Sequence, residues 1–150
     1  MSSKSPFITV ASSVTLSSTL TAIGGDASSH AVKLACMDAA CLSIDYTRHA
    51  SSTTGRPTIA VDLSRDPPDT AIASVTHWQP YYLVDGGSFS AGAVEAYAYL
   101  VSLNPTASGT TTFGWPGTVE TTGYHWLRVK AKDVDGTNPG VVSVYLGGTP

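Results

Sequence analysis

The stretch that decides the fold is residues 124–146, YHWLRVKAKDVDGTNPGVVSVYL. Two alternating runs flank a turn-rich joint, and alternation is the period of a pleated strand. In the first run Leu127, Val129 and Ala131 fall on one side, while Arg128, Lys130 and Lys132 fall on the other with Tyr124 and Trp126. The same plan recurs at residues 41–63, where LSIDYTRH and TIAVDLSRD flank ASSTTGRP. There Leu42, Ile44, Tyr46, Ile59, Val61 and Leu63 form the apolar set, and Ser43, Asp45, Thr47, Ala60, Asp62 and Ser64 the wet one. Each plan reads as a β-hairpin, and two such hairpins place the chain among all-β domains.

Outward from these runs, residues 1–29 are rich in Ser and Thr and are predicted to form an arm with one or two short strands, part of the same unit as the domain at 30–150. Gly24-Gly25-Asp26 is a turn signal. The alanines and leucines of residues 31–42 permit a short helix, but Val32, Leu34 and Cys36 alternate as a strand would, and a strand is predicted there. Asp66-Pro67-Pro68-Asp69 breaks the sheet, because proline supplies no N–H. A strand kinked at Pro80 is predicted over 72–84, another strand over 94–103, and a long loop with at most one short strand over 104–123. The sum is an antiparallel β-sandwich of about eight strands, with a jelly roll as one arrangement that fits.

A chain of 150 residues makes one ordinary domain. Charged residues are 13% of it, against a typical ~25%, which is the texture of a neutral surface built to touch other protein. The net charge of −3 gives nucleic acid no reason to approach. No run reaches the ~18 apolar residues of a membrane span, and the first residues lack the apolar core of an export signal, so cytoplasmic assembly is expected. The two cysteines, Cys36 and Cys41, are too few for a disulfide framework or a four-cysteine zinc site.

Candidate chemistry is sparse. Asp45 and Asp62 resemble a pair of acid and base carboxylates, but alternation puts both on flat, wet faces where neither pKa would be raised. Asp133-Val134-Asp135-Gly136 resembles the opening of a calcium loop, yet no closing Glu follows, and a plain hairpin turn is preferred. His30, His49, His77 and His125 are scattered. No nucleophile elbow and no phosphate-binding glycine loop occurs, so the chain is expected to have no catalytic residue, no metal and no cofactor. Two surfaces carry more weight. The basic and aromatic face of Tyr124, Trp126, Arg128, Lys130 and Lys132 suits an acidic protein partner, or else serves to keep an edge strand from pairing with strangers. Trp78, Tyr82 and Trp115 could stack on sugar rings, although such aromatics in a sandwich are more often core or subunit contacts.

The order of these pieces, LSIDYTRH, a Ser/Thr/Gly loop, RPTIAVDLS, a His-Trp strand followed by Gly-Gly, then GYHWLRVKAKDVDGTNPGVVSVYLGG, resembles small β-sandwich virion proteins of tailed bacteriophages, of the capsid decoration type. The resemblance implies a place on the outer capsid surface, the major capsid protein as partner, and a homo-oligomer, a trimer being favoured. It also implies an N-terminal arm, residues 2–18, that reaches onto neighbouring subunits with Phe7 and Ile8 as anchors. Deleting residues 1–10 would then leave a folded domain that binds capsids poorly. The alternative it leaves open is a tail or head-fibre component that attaches to host carbohydrate through Trp78, Tyr82 and Trp115.

Overall fold

The computed structural model describes residues 8–35, 37–81, 101–102, 109–114 and 118–149. In chain order the strands are β1 (Ile8–Thr15), β2 (Thr21–Ile23), β3 (Val32–Lys33), β4 (Ala39–Thr47), β5 (Pro57–Ser64), β6 (Trp78–Pro80), β7 (Val101–Ser102), β8 (Thr110–Gly114), β9 (Val119–Glu120), β10 (Trp126–Asp133) and β11 (Val141–Thr149), with one 3₁₀ turn at Ile72–Ser74. The chain is an antiparallel β-sandwich. The first sheet runs β1-β11-β4-β8, with β9 also on β4, and the second runs β2-β10-β5-β6, with β3 also on β10 and β7 also on β5.

This order corrects the two expected hairpins. β4 and β5 do not pair with each other: β4 pairs β11 from Thr47↔Val141 to Ala39↔Thr149, and β5 pairs β10 from Ser64↔Trp126 to Pro57↔Asp133. Both connections are arches that carry the chain from one sheet to the other. The alternation was read correctly, but the apolar sides face each other across the sandwich instead of lying side by side. Ala40, Leu42, Ile44 and Tyr46 of β4, with Val142, Val144 and Leu146 of β11, meet Ile59, Val61, Leu63, Leu127, Val129 and Ala131 of the second sheet in one core. Burying each Val, Leu or Ile side chain of this set contributes about 1.5–3 kcal/mol before ordering costs.

Residues 8–29 hold two short strands, β1 and β2, within the same sandwich, as expected. The arm over 2–18 that the resemblance implied is shortened by this: residues 8–15 pair with β11 at the edge of the first sheet, so removing residues 1–10 would cut into the sandwich. Register shifts between Thr9 and Ala11 and between Ala11 and Val14 mark bulges, and Ser13 sits at φ 51°. The bulging turns two successive residues, Val10 and Ala11, into the core. Gly24 is required where the next turn docks on this edge: its φ is +64°, and an added Cβ would lie 2.0 Å from the Val10 carbonyl oxygen. The region expected to be mostly loop, 104–123, contributes two strands, β8 along β4 and β9 at the start of β4. From the expected strand over 72–84 the chain forms the short β6 against β5, and Tyr81 N–H donates to the Val61 carbonyl just beyond Pro80.

Candidate functional site

The outward face of the second sheet holds most of the chemistry foreseen for an interface, and it is partly covered. Trp126 does face outward, but it is 2% exposed, packed with Ala31 and Val75 and touched by Trp78. The cover is the segment between β5 and β6, whose Asp66 and Pro67 carbonyls accept the indole N–H at 3.1 and 3.3 Å. Its own anchor is the Asp66 carboxylate, which accepts the backbone N–H of Thr76 and of His77 and bonds the His77 ring at 2.6 Å. Those bonds, with the Thr76 N–H first, hold the Asp66 carboxyl below its ordinary value. Trp126 is therefore no surface anchor: alternation gave its direction correctly, but a loop distant in sequence closes over it.

Arg128 is likewise committed inside the molecule. Its Nε and Nη2 both donate to Asp62 Oδ2, at 2.9 and 2.5 Å, and its guanidinium lies 4.6 Å from the centre of the Trp78 ring. Asp62, expected on a wet face, is 1% exposed and lies in the opposite sheet from Asp45. Asp45 instead accepts from the Thr112 hydroxyl across the β4–β8 pair at 2.7 Å. The structure therefore does not bring the two carboxylates together. Tyr124 is half-buried against the core, with Arg65 stacked 4.7 Å from its ring centre. Lys130 and Lys132 stay half-buried on the outward face, opposite Ala60 and Thr58. Ile8 packs at the margin of the core. Phe7, Tyr82 and Trp115 lie outside the described residues, as does Cys36, while Cys41 is an exposed free thiol.

The most organised polar centre joins the two arches, and sequence reading missed its purpose. Tyr46 is fully buried, and its hydroxyl donates to Asp133 Oδ2 at 2.6 Å. Burial first, and then the hydrogen bond to Asp133, push the Tyr46 hydroxyl well above its ordinary pKa. Asp133 also accepts the backbone N–H of Arg56, Asp135 and Gly140. Asp135 accepts from the Ser52 hydroxyl and from the N–H of Thr137 and Asn138, which keeps its carboxyl low. The calcium-like signature DVDG is thus a carboxylate scaffold for two arches, and the plain hairpin turn expected there is replaced by a sheet-to-sheet crossing. Gly140 closes it, since an added Cβ would meet the Thr47 carbonyl and the Tyr46 ring at 2.5 Å.

Beside the arches lies an open recess of about 430 Å³ lined by Arg48, Thr53, Thr54, Arg56 and Val134. Arg48 Nε donates to the Gly55 carbonyl at 2.9 Å, and Val134 is 48% exposed. The sequence signal was two arginines bracketing a Thr-Thr-Gly turn. Among the described residues no group of three or more His, Cys, Asp or Glu side chains is placed to hold a metal ion, and no helix is long and apolar enough to cross a membrane. Comparison of the chain with protein-family models, with curated proteins and with solved structures returns no match.

Proposed function

We propose that this chain is a structural protein of a tailed-phage virion that decorates and stabilises the outer capsid surface, bound to the major capsid protein and assembled as a homo-oligomer, with a trimer favoured. The observation that carries the reading is the use the fold makes of its polar side chains. Asp62, Asp66, Asp133 and Asp135 are spent on holding strands and arches together, which leaves the molecule's faces as its means of action. The strands of the first sheet contain no Lys or Arg and present Ser43, Thr47, Ser143 and Tyr145 around Asp45, a largely hydroxyl-bearing surface suited to close protein contact. Residues 1–7 precede the edge strand β1 and are the stretch assigned to reach a neighbour, with Ile8 as its root in the sandwich. Many copies, each modestly bound, would resist internal pressure by avidity.

A carbohydrate-binding role at a tail or fibre is less well supported. Arg128 already lies over the face of Trp78, where a sugar ring would stack. The test is to find which purified particle carries the chain and in how many copies. A capsid decoration protein will be present in hundreds, whereas a handful of copies would mean a tail or fibre part and end the proposal. A variant lacking residues 1–7 keeps β1 intact and should fold but co-sediment poorly with particles.

A further inference from the structure

Residues 65–77 leave β5 at Ser64 and return to β6 at Trp78, and those two positions are paired across the β5–β6 ladder. A loop whose ends meet in this way is a surface element of its own, and it can lift without separating the strands that hold its ends. It is internally braced, with Thr70 N–H donating to the Pro67 carbonyl at 3.0 Å and Ser74 N–H to the Ala71 carbonyl at 2.8 Å. Its hold on the sandwich is thin. Of these residues only Val75 is buried, and it enters the small cluster of Ala31, Trp126 and Trp78 instead of the main core. Ile72, the largest apolar side chain of the loop, is 43% exposed and adds nothing to that hold. Among the described residues the remaining ties are the Arg65 stack on Tyr124 at the first residue and a set of hydrogen bonds. Trp126 Nε1–H donates to the Asp66 and Pro67 carbonyls, and the Ser29 hydroxyl donates to the Ile72 carbonyl at 2.6 Å. The Asp66 carboxylate accepts Thr76 N–H at 2.8 Å and bonds the His77 ring at 2.6 Å, clasping the loop's two ends together.

We propose that residues 65–77 form a strap that opens as one unit while the sandwich stays folded, and that its opening uncovers Trp126. Local opening begins where few apolar side chains are buried and the hydrogen bonds lie at the surface, which describes this segment and not the β5–β10 ladder beneath it. The ties are also interlocked. One carbonyl that receives the indole N–H belongs to Asp66, and the carboxylate of the same residue holds Thr76, the neighbour of the buried Val75. Losing the Asp66 clasp therefore frees both ends together, and the internal turns keep the rest of the strap intact as it lifts. What lies beneath is well defined. Trp126 is 2% exposed with the strap down, with the Lys33 ammonium 6.0 Å from its ring centre and Trp78 alongside. Closed, this part of the second sheet presents the outer surface of the strap, with Ala71, Ile72 and Ala73 exposed; open, it presents an indole beside a lysine. A cover of this kind stands apart from the decoration role and does not rest on it.

Native-state hydrogen exchange on the intact chain, followed by NMR at rising urea below the unfolding transition, tests this. The reporters are the Trp126 indole N–H and the Thr76 backbone N–H, which are held by the first and last parts of the strap. Both should exchange through one shared opening, at least about 100-fold more frequent than that of the β10 and β11 amides. That opening should be nearly independent of urea, because lifting the strap exposes little surface, whereas β10 and β11 follow the full slope of unfolding. Ile44→Val, deep in the main core, should speed the β10 and β11 amides about fivefold and leave both reporters unchanged, since the open and closed strap share the same core. Asp66→Ala keeps the carbonyl that the indole uses and should speed indole exchange about tenfold, the effect of losing charge-assisted bonds. Reporters that follow the urea slope of β10 and β11, that speed up equally in Ile44→Val, or that open at different frequencies from each other would each overturn the strap, as would an indole indifferent to Asp66→Ala. Should Asp66→Ala not fold, the urea profile and Ile44→Val still decide. No particle is involved, so failure here leaves the decoration experiment standing.

Discussion

β4 and β5 read almost alike in sequence, LSIDYT against TIAVDLS, yet the fold treats them differently. β4 alternates, with Leu42, Ile44 and Tyr46 buried and Ser43 and Asp45 half-exposed, whereas all eight residues of β5 are buried. The cause is not propensity. β5 lies between β10 and the short β6 and β7, and its outward side is covered where Arg128, Trp78 and the segment that follows β5 close over Asp62 and Ser64. Alternation states which residues point into the sandwich. It is silent on whether anything lies over the other side.

That contrast can be broken most sharply at the two outward aspartates. Asp62→Ala strands the Arg128 guanidinium, whose side chain is 21% exposed, and should cost about 3–5 kcal/mol in urea unfolding. Replacing both partners, as Asp62→Leu with Arg128→Met, should recover most of that loss, since a packed apolar pair needs no counter-ion. Next in size is Tyr46→Phe, which leaves the β4 core volume intact but takes one donor from Asp133; about 1–3 kcal/mol is expected from the same measurement.

Acid should then act on both polar centres, and alkali on the arch centre alone. Asp66 and Asp135 have carboxyls held below the ordinary 3.8, so their contribution is present above that pH and is lost as pH falls through the folded values. Tyr46 is raised from 10.0, so its contribution is present below that pH and is lost as pH rises above it. A thermal-unfolding profile flat between these limits and falling on both sides is expected, and Tyr46→Phe should flatten the alkaline side alone. The smallest effect belongs to Asp45→Asn, on the wet side of β4, at under about 0.5 kcal/mol. A loss as large as that of Asp62→Ala would mean that β4 too is covered.

The sandwich and most of its core were legible because residues such as Leu127, Val129 and Ala131, or Leu42, Ile44 and Tyr46, carry strict period-two patterning. The arches were not. A Ser/Thr/Gly-rich joint such as 48–56 returns the chain equally well to its own sheet or to the facing one. What selects the crossing is a set of contacts between the joints, Tyr46 to Asp133 and Ser52 to Asp135, made across more than 80 residues. β8 does carry a local signal, since Thr110–Gly114 is a run of β-branched and aromatic residues. Trp126 failed as a surface residue for the same reason as Asp62, because its cover comes from Asp66 and Pro67, about 60 positions away. The Arg48 and Arg56 recess was invisible until both arches were placed side by side.

The crossings also have a consequence for synthesis. β11 sits between β1 and β4, yet it is translated more than 90 residues after β4 ends. β1, β4 and β5 must wait on the ribosome without their central neighbours until residues 126–149 have emerged. A nascent chain of this design has no stable half-way house, since loop closure on this scale precedes any reward from pairing. It should remain protease-sensitive along most of its length and then become resistant in a single late step.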